Sequence, residues 1–202
     1  MKTAGTLLDE AVMTQRLAGT GAEHVAPLNA WVSGLRAAGT ELPWFDPADG
    51  GVRAALLVLL QSPALSSPSP RFVSRDNPGP AQQNLGRFLA EADIARGQSV
   101  LWNVVPWVSG GGRSTPSAAD VKAGCDLLVP LLSLLPALQV VVLAGAVAAR
   151  AEPLVRQARP GVQVLVMPHP SPLALCAGPS VTEKIRTILR QAQIMLTGKS
   201  GS

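Results

Sequence analysis

Ala55-Leu56-Leu57-Val58-Leu59-Leu60 is an unbroken apolar run that stops at Gln61-Ser62-Pro63. A short, continuous run of Val and Leu bounded by a turn signal reads as a strand buried on both faces, as in a parallel sheet. Three further runs have this character: Val100–Val105, Gln139–Ala144 and Val162–Met167. Between them the apolar spacing predicts helices near 81–95, 117–135 and 146–158, with a last one over 180–196. Upstream, 6–20 and 24–38 read as amphipathic helices, with Leu7, Leu8, Val12 and Met13, then Leu28, Trp31, Val32 and Leu35, at helical spacing. Pro43, Pro47 and Gly50-Gly51 end that pattern. Strands alternating with helices imply an α/β fold: a three-layer α/β/α sandwich around a four-stranded, mainly parallel sheet. The expected organisation is a single domain over 1–202, with N-terminal helices in 1–44, an α/β core in 45–196 and a flexible tail in 197–202.

Composition narrows the class. At 202 residues, 47% hydrophobic and 15% charged, the chain can bury a sizeable core and is not disordered. Aromatics are 3% and Tyr is absent, so Leu, Val and Ala must fill that core. Net charge is +4, and thirteen of the 17 basic residues are Arg, which suits an anionic partner such as nucleic acid but is common in other soluble proteins. Two cysteines, Cys125 and Cys176, are too few for a four-cysteine metal or iron–sulfur site, and no metal or other cofactor is expected. The longest apolar stretch, Leu127–Leu135, is short for a membrane span and contains Pro130 and Ser133. The N-terminus carries no signal-peptide pattern. A cytoplasmic monomer with no membrane partner is the expectation.

Three polar, proline-rich segments follow strands and so share the carboxyl rim of the sheet, where open α/β sheets bind ligands. The first is Gln61-Ser62-Pro63. The second is Asn103, leading into Val104-Val105-Pro106-Trp107. The third is His169-Pro170-Ser171-Pro172-Leu173. His169 lies between Pro168 and Pro170, which stiffen the backbone and remove two N–H donors. It is either a fixed electrophilic donor or an incidental residue of a structural turn. Asn103 offers a donor and an acceptor that can read the amide edge of a pyrimidine, or can satisfy nearby backbone. Phe72 sits in a Pro/Ser/Arg-rich loop, where it either stacks on a base or plugs the loop against the body of the protein. Arg71 and Arg75 flank it and Asp76-Asn77 follow, an arrangement that suits phosphate contact or a solvated loop.

Taken in order, these segments resemble the uracil-DNA glycosylase superfamily over roughly residues 45–195. Leu59-Leu60-Gln61-Ser62-Pro63-Ala64 is similar to the family's strand and water-activating loop. Pro70-Arg71-Phe72-Val73 is similar to the loop whose aromatic stacks on the flipped base, and Leu101-Trp102-Asn103-Val104-Val105 to the strand carrying the uracil-reading Asn. His169-Pro170-Ser171-Pro172-Leu173 resembles the histidine loop with its duplex-wedging leucine, and is the most specific match because five consecutive residues agree.

The resemblance implies a monofunctional DNA-repair hydrolase of base excision repair. It would flip uracil or another deaminated base from single- or double-stranded DNA and cleave the N-glycosidic bond. It implies catalytic roles for His169 and Ser62, base contacts from Gln61, Phe72 and Asn103, and DNA contacts from Pro170, Ser171, Pro172, Leu173, Arg71 and Arg75. Ser62 departs from the pattern, since many members place Asp or Asn there to handle the attacking water, and Ser is no effective base at neutral pH. Some branches that lack this acid use an Asp just after the aromatic loop, which makes Asp76 a catalytic candidate. Other branches hold a four-cysteine iron–sulfur cluster, which this chain lacks the cysteines to bind. It therefore resembles a divergent branch. The same departure supports an alternative: a non-catalytic or very slow binder of uracil-containing or damaged DNA. A nucleotide-binding α/β domain without a DNA role is a third reading. It is disfavoured because no glycine-rich phosphate loop follows the first strand, and Gly110-Gly111-Gly112 lies after Trp107.

Overall fold

The structure is a computed structural model that describes residues 6–63, 71–108 and 115–198. Ala64–Pro70, Gly110-Gly111-Gly112 and most of the expected tail lie outside the described residues. Among those described are six strands: β1 (Trp44–Phe45), β2 (Leu56–Leu60), β3 (Phe72–Val73), β4 (Ser99–Asn103), β5 (Val140–Ala144) and β6 (Gln163–Met167). The four apolar runs form one sheet in the order β4-β2-β5-β6, parallel throughout. β1 and β3 pair in a separate two-residue parallel ribbon, too short to leave a periodic signal in the sequence.

Burial explains the composition of the strands. Every residue of β2, β4 and β5 is buried, so both faces of each strand demand apolar side chains. β6 departs from the expectation of two-sided burial: it is the open edge of the sheet, and Gln163 and Val166 are exposed. β4 is also terminal but is covered. Its Trp102 stacks on Phe45 of β1 at 4.2 Å between ring centroids, and Trp31 of α2 (Ala26–Ala37) packs against both rings. The other N-terminal helix, α1 (Glu10–Ala18), buries none of its own residues. The apolar anchor of the segment is Leu7, just before it.

Prolines reset two of the expected helices. The 117–135 stretch divides at Leu127 into α4 (Ala118–Asp126) and α5 (Leu128–Ser133), because Pro130 has no N–H for a bond back into α4. The 146–158 stretch divides into α6 (Ala146–Ala149) and α7 (Glu152–Ala158), with Pro153 in the first turn of α7, where its missing donor costs nothing.

The strand order has a consequence for ligand binding. The chain steps from β2 to β4 on one side, returns past β2 to β5, and continues to β6. Right-handed crossovers then place α3 (Pro80–Glu91) on one face of the sheet and α4, α5 and α7 on the other. α9 (Pro179–Thr197) joins the layer of α3, packing on α3, β5 and β6, while α5 packs on α7. The reversal makes the crevice between the carboxyl ends of β2 and β5 the topological switch point of the sheet.

Candidate active site

The ladder between β2 and β4 runs past the strands themselves. Val104 N–H donates to Leu60 O at 2.8 Å and Val105 N–H to Gln61 O at 3.0 Å. Asn103 is thereby held beside Leu60, and Ser62-Pro63 leave the sheet next to it. Ser62, Pro63, Phe72, Asn77, Gln82 and Asn103 line one narrow cavity at the carboxyl ends of β2 and β4. The space open to a water's centre there is about 10 Å³, roughly one molecule's worth. Gln61 is half-buried and is not among the lining residues.

Phe72 owes its position to β3. Its backbone is paired with Trp44, and the side chain is buried at 3% exposure. Neighbouring Val73 belongs to the main apolar core; Phe72 does not, and it lines the cavity instead. Asn77, which the sequence showed only as part of the polar loop after Phe72, clamps this segment: its Nδ2 donates to Phe72 O at 2.8 Å.

The histidine loop reaches the same rim by way of β6. Gly145 follows β5 with φ of +91°, a conformation that favours glycine, and donates its N–H to Met167 O at 2.9 Å. Its bare α-carbon is where His169 packs: a Cβ added there would lie 2.9 Å from His169 Cβ. Asn84 of α3 donates to Pro170 O at 3.0 Å, tying the loop to the helix that also brings Gln82 to the cavity. Ser171 caps α8 (Pro172–Leu175) by accepting from Ala174 N–H at 3.4 Å. Leu173, in this one-turn helix, is 86% exposed, an unusual position for a large apolar side chain. Burial holds the His169 imidazole below its ordinary pKa of 6.5, so the ring is neutral at physiological pH.

Two of the sequence candidates are drawn elsewhere. Asp76 Oδ2 accepts from Arg16 Nη2 at 2.6 Å and Arg96 Nη1 at 2.7 Å. Arg75 is half-buried, with Nη2 donating to Ser99 Oγ at 2.6 Å and lying 3.5 Å from Asp49. Both belong to a part-buried ion-pair cluster of three guanidiniums (Arg16, Arg75, Arg96) and three carboxylates (Asp46, Asp49, Asp76), of which Asp46 and Asp49 are fully buried. Neither side chain lines the cavity, and Asp76 has both neighbours cationic, so it is ill placed to activate water. Burial lowers the pKa of Arg75. It also works against the charge of Arg96, but the surrounding carboxylates outweigh it and hold that group above its usual value. Burial pushes the Asp49 carboxyl up to about 7, against the pull of Arg75 and Arg96. The sequence signal for this cluster was present in the Asp46 and Asp49 turn but could not be read without knowing its partners.

Arg71 stays near the surface. Its Nη1 donates to Glu41 at 3.1 Å, and with Trp107, Pro106 and Pro63 it lines a wider neighbouring cavity of about 290 Å³. Cys125 is half-buried and Cys176 exposed, both as free thiols. Among the described residues no three His, Cys, Asp or Glu side chains converge as metal ligands, and no helix is long and apolar enough to cross a membrane.

The family model described as "Uracil DNA glycosylase superfamily" matches residues 33–193. With most of its length so matched, the chain belongs to the uracil-DNA glycosylase superfamily. Membership makes DNA the expected ligand and suggests release of uracil or another damaged base. No curated protein matches the chain. Among solved structures it is similar to a mimivirus UNG variant in complex with UGI, at 13% sequence identity and a TM-score of 0.40, over 81% of this chain and 70% of that one.

Proposed function

We propose that this protein is a monofunctional DNA glycosylase that flips a deaminated base, uracil foremost, and hydrolyses its N-glycosidic bond to leave an abasic site. The observation that carries this reading is the cavity shared by Asn103, Phe72 and Ser62, with the His169 loop tied through Asn84 to the helix whose Gln82 also lines it. Base flipping costs a few kcal/mol, least in single strands or mismatches. Leu173, exposed and apolar, fills the gap left in the stack. The flipped base parts the walls of the narrow cavity and stacks on Phe72. Asn103 pairs with the N3–H and O4 of uracil; cytosine reverses that donor–acceptor order and leaves buried groups unmet. As the C1′–N1 bond breaks, negative charge gathers on the base. The neutral His169 imidazole donates to O2 and stabilises it, a contribution of about 3–4 kcal/mol for a pre-organised donor. Water then captures the sugar cation.

Ser62, standing where an acid is common in relatives, favours a second reading in which the protein binds damaged DNA without cutting it. Incubation with a uracil-containing oligonucleotide followed by alkaline scission decides between them. Cleaved strands are expected. Uncleaved strands, with retention of the oligonucleotide, would establish the binder.

A further inference from the structure

We infer that Asn77, together with Ser62, holds the water that attacks the sugar. The inference rests on the glycosylase reading above. Asn77 is 7% exposed and lines the same cavity as Ser62, Phe72 and Asn103. Its orientation follows from chemistry. Phe72 O can only accept, so the amide NH2 of Asn77 must face it, at 2.8 Å from Nδ2. The carboxamide oxygen therefore points away, and Oδ1 is buried with no hydrogen-bond partner. Buried acceptors are rarely left unmet, and one that is calls for an absent partner.

The dimensions of the cavity suggest which partner. About 10 Å³ open to a water's centre suits a single molecule, and a buried water needs at least two polar neighbours. Asn77 Oδ1 and the Ser62 hydroxyl can both accept. With its two hydrogens engaged by these oxygens, the water keeps a lone pair free for C1′. The C1′–N1 bond breaks with its electron pair leaving on the base. The water oxygen then bonds to C1′, becomes strongly acidic, and releases its extra proton to bulk water. Two neutral acceptors suffice, because the proton leaves after the cation has been captured. The pair thus does the positioning for which the sequence offers no acid: Ser62 stands in the first loop, and Asp76 is held between Arg16 and Arg96.

The test compares wild type, Asn77→Ala, Asn77→Asp and Ser62→Ala in single-turnover excision from a uracil oligonucleotide. Affinity for an oligonucleotide carrying non-cleavable 2′-fluoro-2′-deoxyuridine and thermal stability are measured alongside. Asn77→Ala is expected to slow excision about 10- to 100-fold while affinity stays within about twofold. Asn77→Asp keeps an acceptor, so its excision is expected to exceed that of Asn77→Ala and to gain a limb that rises with pH as the new carboxyl ionises. Wild-type rates in Asn77→Ala overturn the inference. So does a loss that follows affinity or melting temperature in both variants, which assigns Asn77 only to the Phe72 clamp. A wild type that releases no uracil overturns the glycosylase proposal itself, and the water site with it.

Discussion

Gly145 and His169 are packed backbone to side chain, and a Cβ on Gly145 would fall 2.9 Å from His169 Cβ. The two residues come from adjacent strands, one just after β5 and the other just after β6. Gly145→Ala would meet both the contact and a φ of +91°, a backbone penalty of roughly 1–2 kcal/mol. The expected outcome is a displaced imidazole and excision slowed about as much as in His169→Ala, which should lose about 10²- to 10³-fold. Ser62→Ala should lose much less. Equal, small losses in His169→Ala and Ser62→Ala would remove the distinction drawn between the two roles.

Asn103 is 3% exposed at the end of β4 and lines the cavity. Asn103→Asp exchanges the donor for a second acceptor. Discrimination between uracil and cytosine should therefore weaken, as measured by the ratio of single-turnover rates on matched oligonucleotides. An unchanged ratio would transfer base recognition to another group.

Leu173 projects from the folded body of the protein. At 86% exposure, Leu173→Ala should change stability by less than about 0.5 kcal/mol. Excision from duplex DNA should nevertheless fall more steeply than from single strands, because only the duplex must be held open. Equal effects on the two substrates would argue against a wedge.

Arg96 touches Asp46, Asp49 and Asp76 at 2.7–2.9 Å. Arg96→Met leaves these carboxylates short of a cation and should cost about 3–5 kcal/mol in denaturant unfolding. A loss below about 0.5 kcal/mol would mean that the cluster is solvated and carries little.

Asp49 gives this cluster a pH dependence. Its carboxyl titrates at about 7 in the folded protein, against 3.8 as its ordinary value. Between those values the folded state binds more protons than the unfolded state, so this group's contribution to stability declines as pH rises from about 4 to about 7. Measured against Asp49→Asn, the wild type should lose relative stability over that window. Parallel curves would place the folded pKa near the ordinary value.

The central sheet was readable because β2, β4 and β5 are buried on both faces and so carry unbroken apolar runs. β6 gave the same signal although it lies on an open edge, since apolar residues such as Val166 are tolerated there. The three rim segments were legible as a group, but their individual geometry was not. Phe72 looked like a loop aromatic because a two-residue strand has no period. Arg75 looked available to DNA, and Asp76 to the attacking water, because their partners, Arg16, Asp49 and Arg96, are 20 or more residues away in sequence. Asn77 and Gly145 left no pattern at all. One matters through an unmet oxygen and the other through the absence of a side chain, and both are visible only in three dimensions.

The same cluster bears on how the molecule opens. α1 has no buried residue; its Arg16 pairs with Asp46 and with Asp76 of the loop carrying Phe72 and Asn77, and Leu7 N–H donates to Asp76 O. A helix held by charge at one end and a single leucine at the other belongs to the part of a protein that unfolds locally at low free energy. Rising ionic strength, which screens only the exposed part of such ties, should loosen this end before the sheet. Amide exchange in α1 and in the Phe72–Asn77 segment would then quicken together, so that a weakly held helix sets the freedom of the segment lining the proposed base pocket.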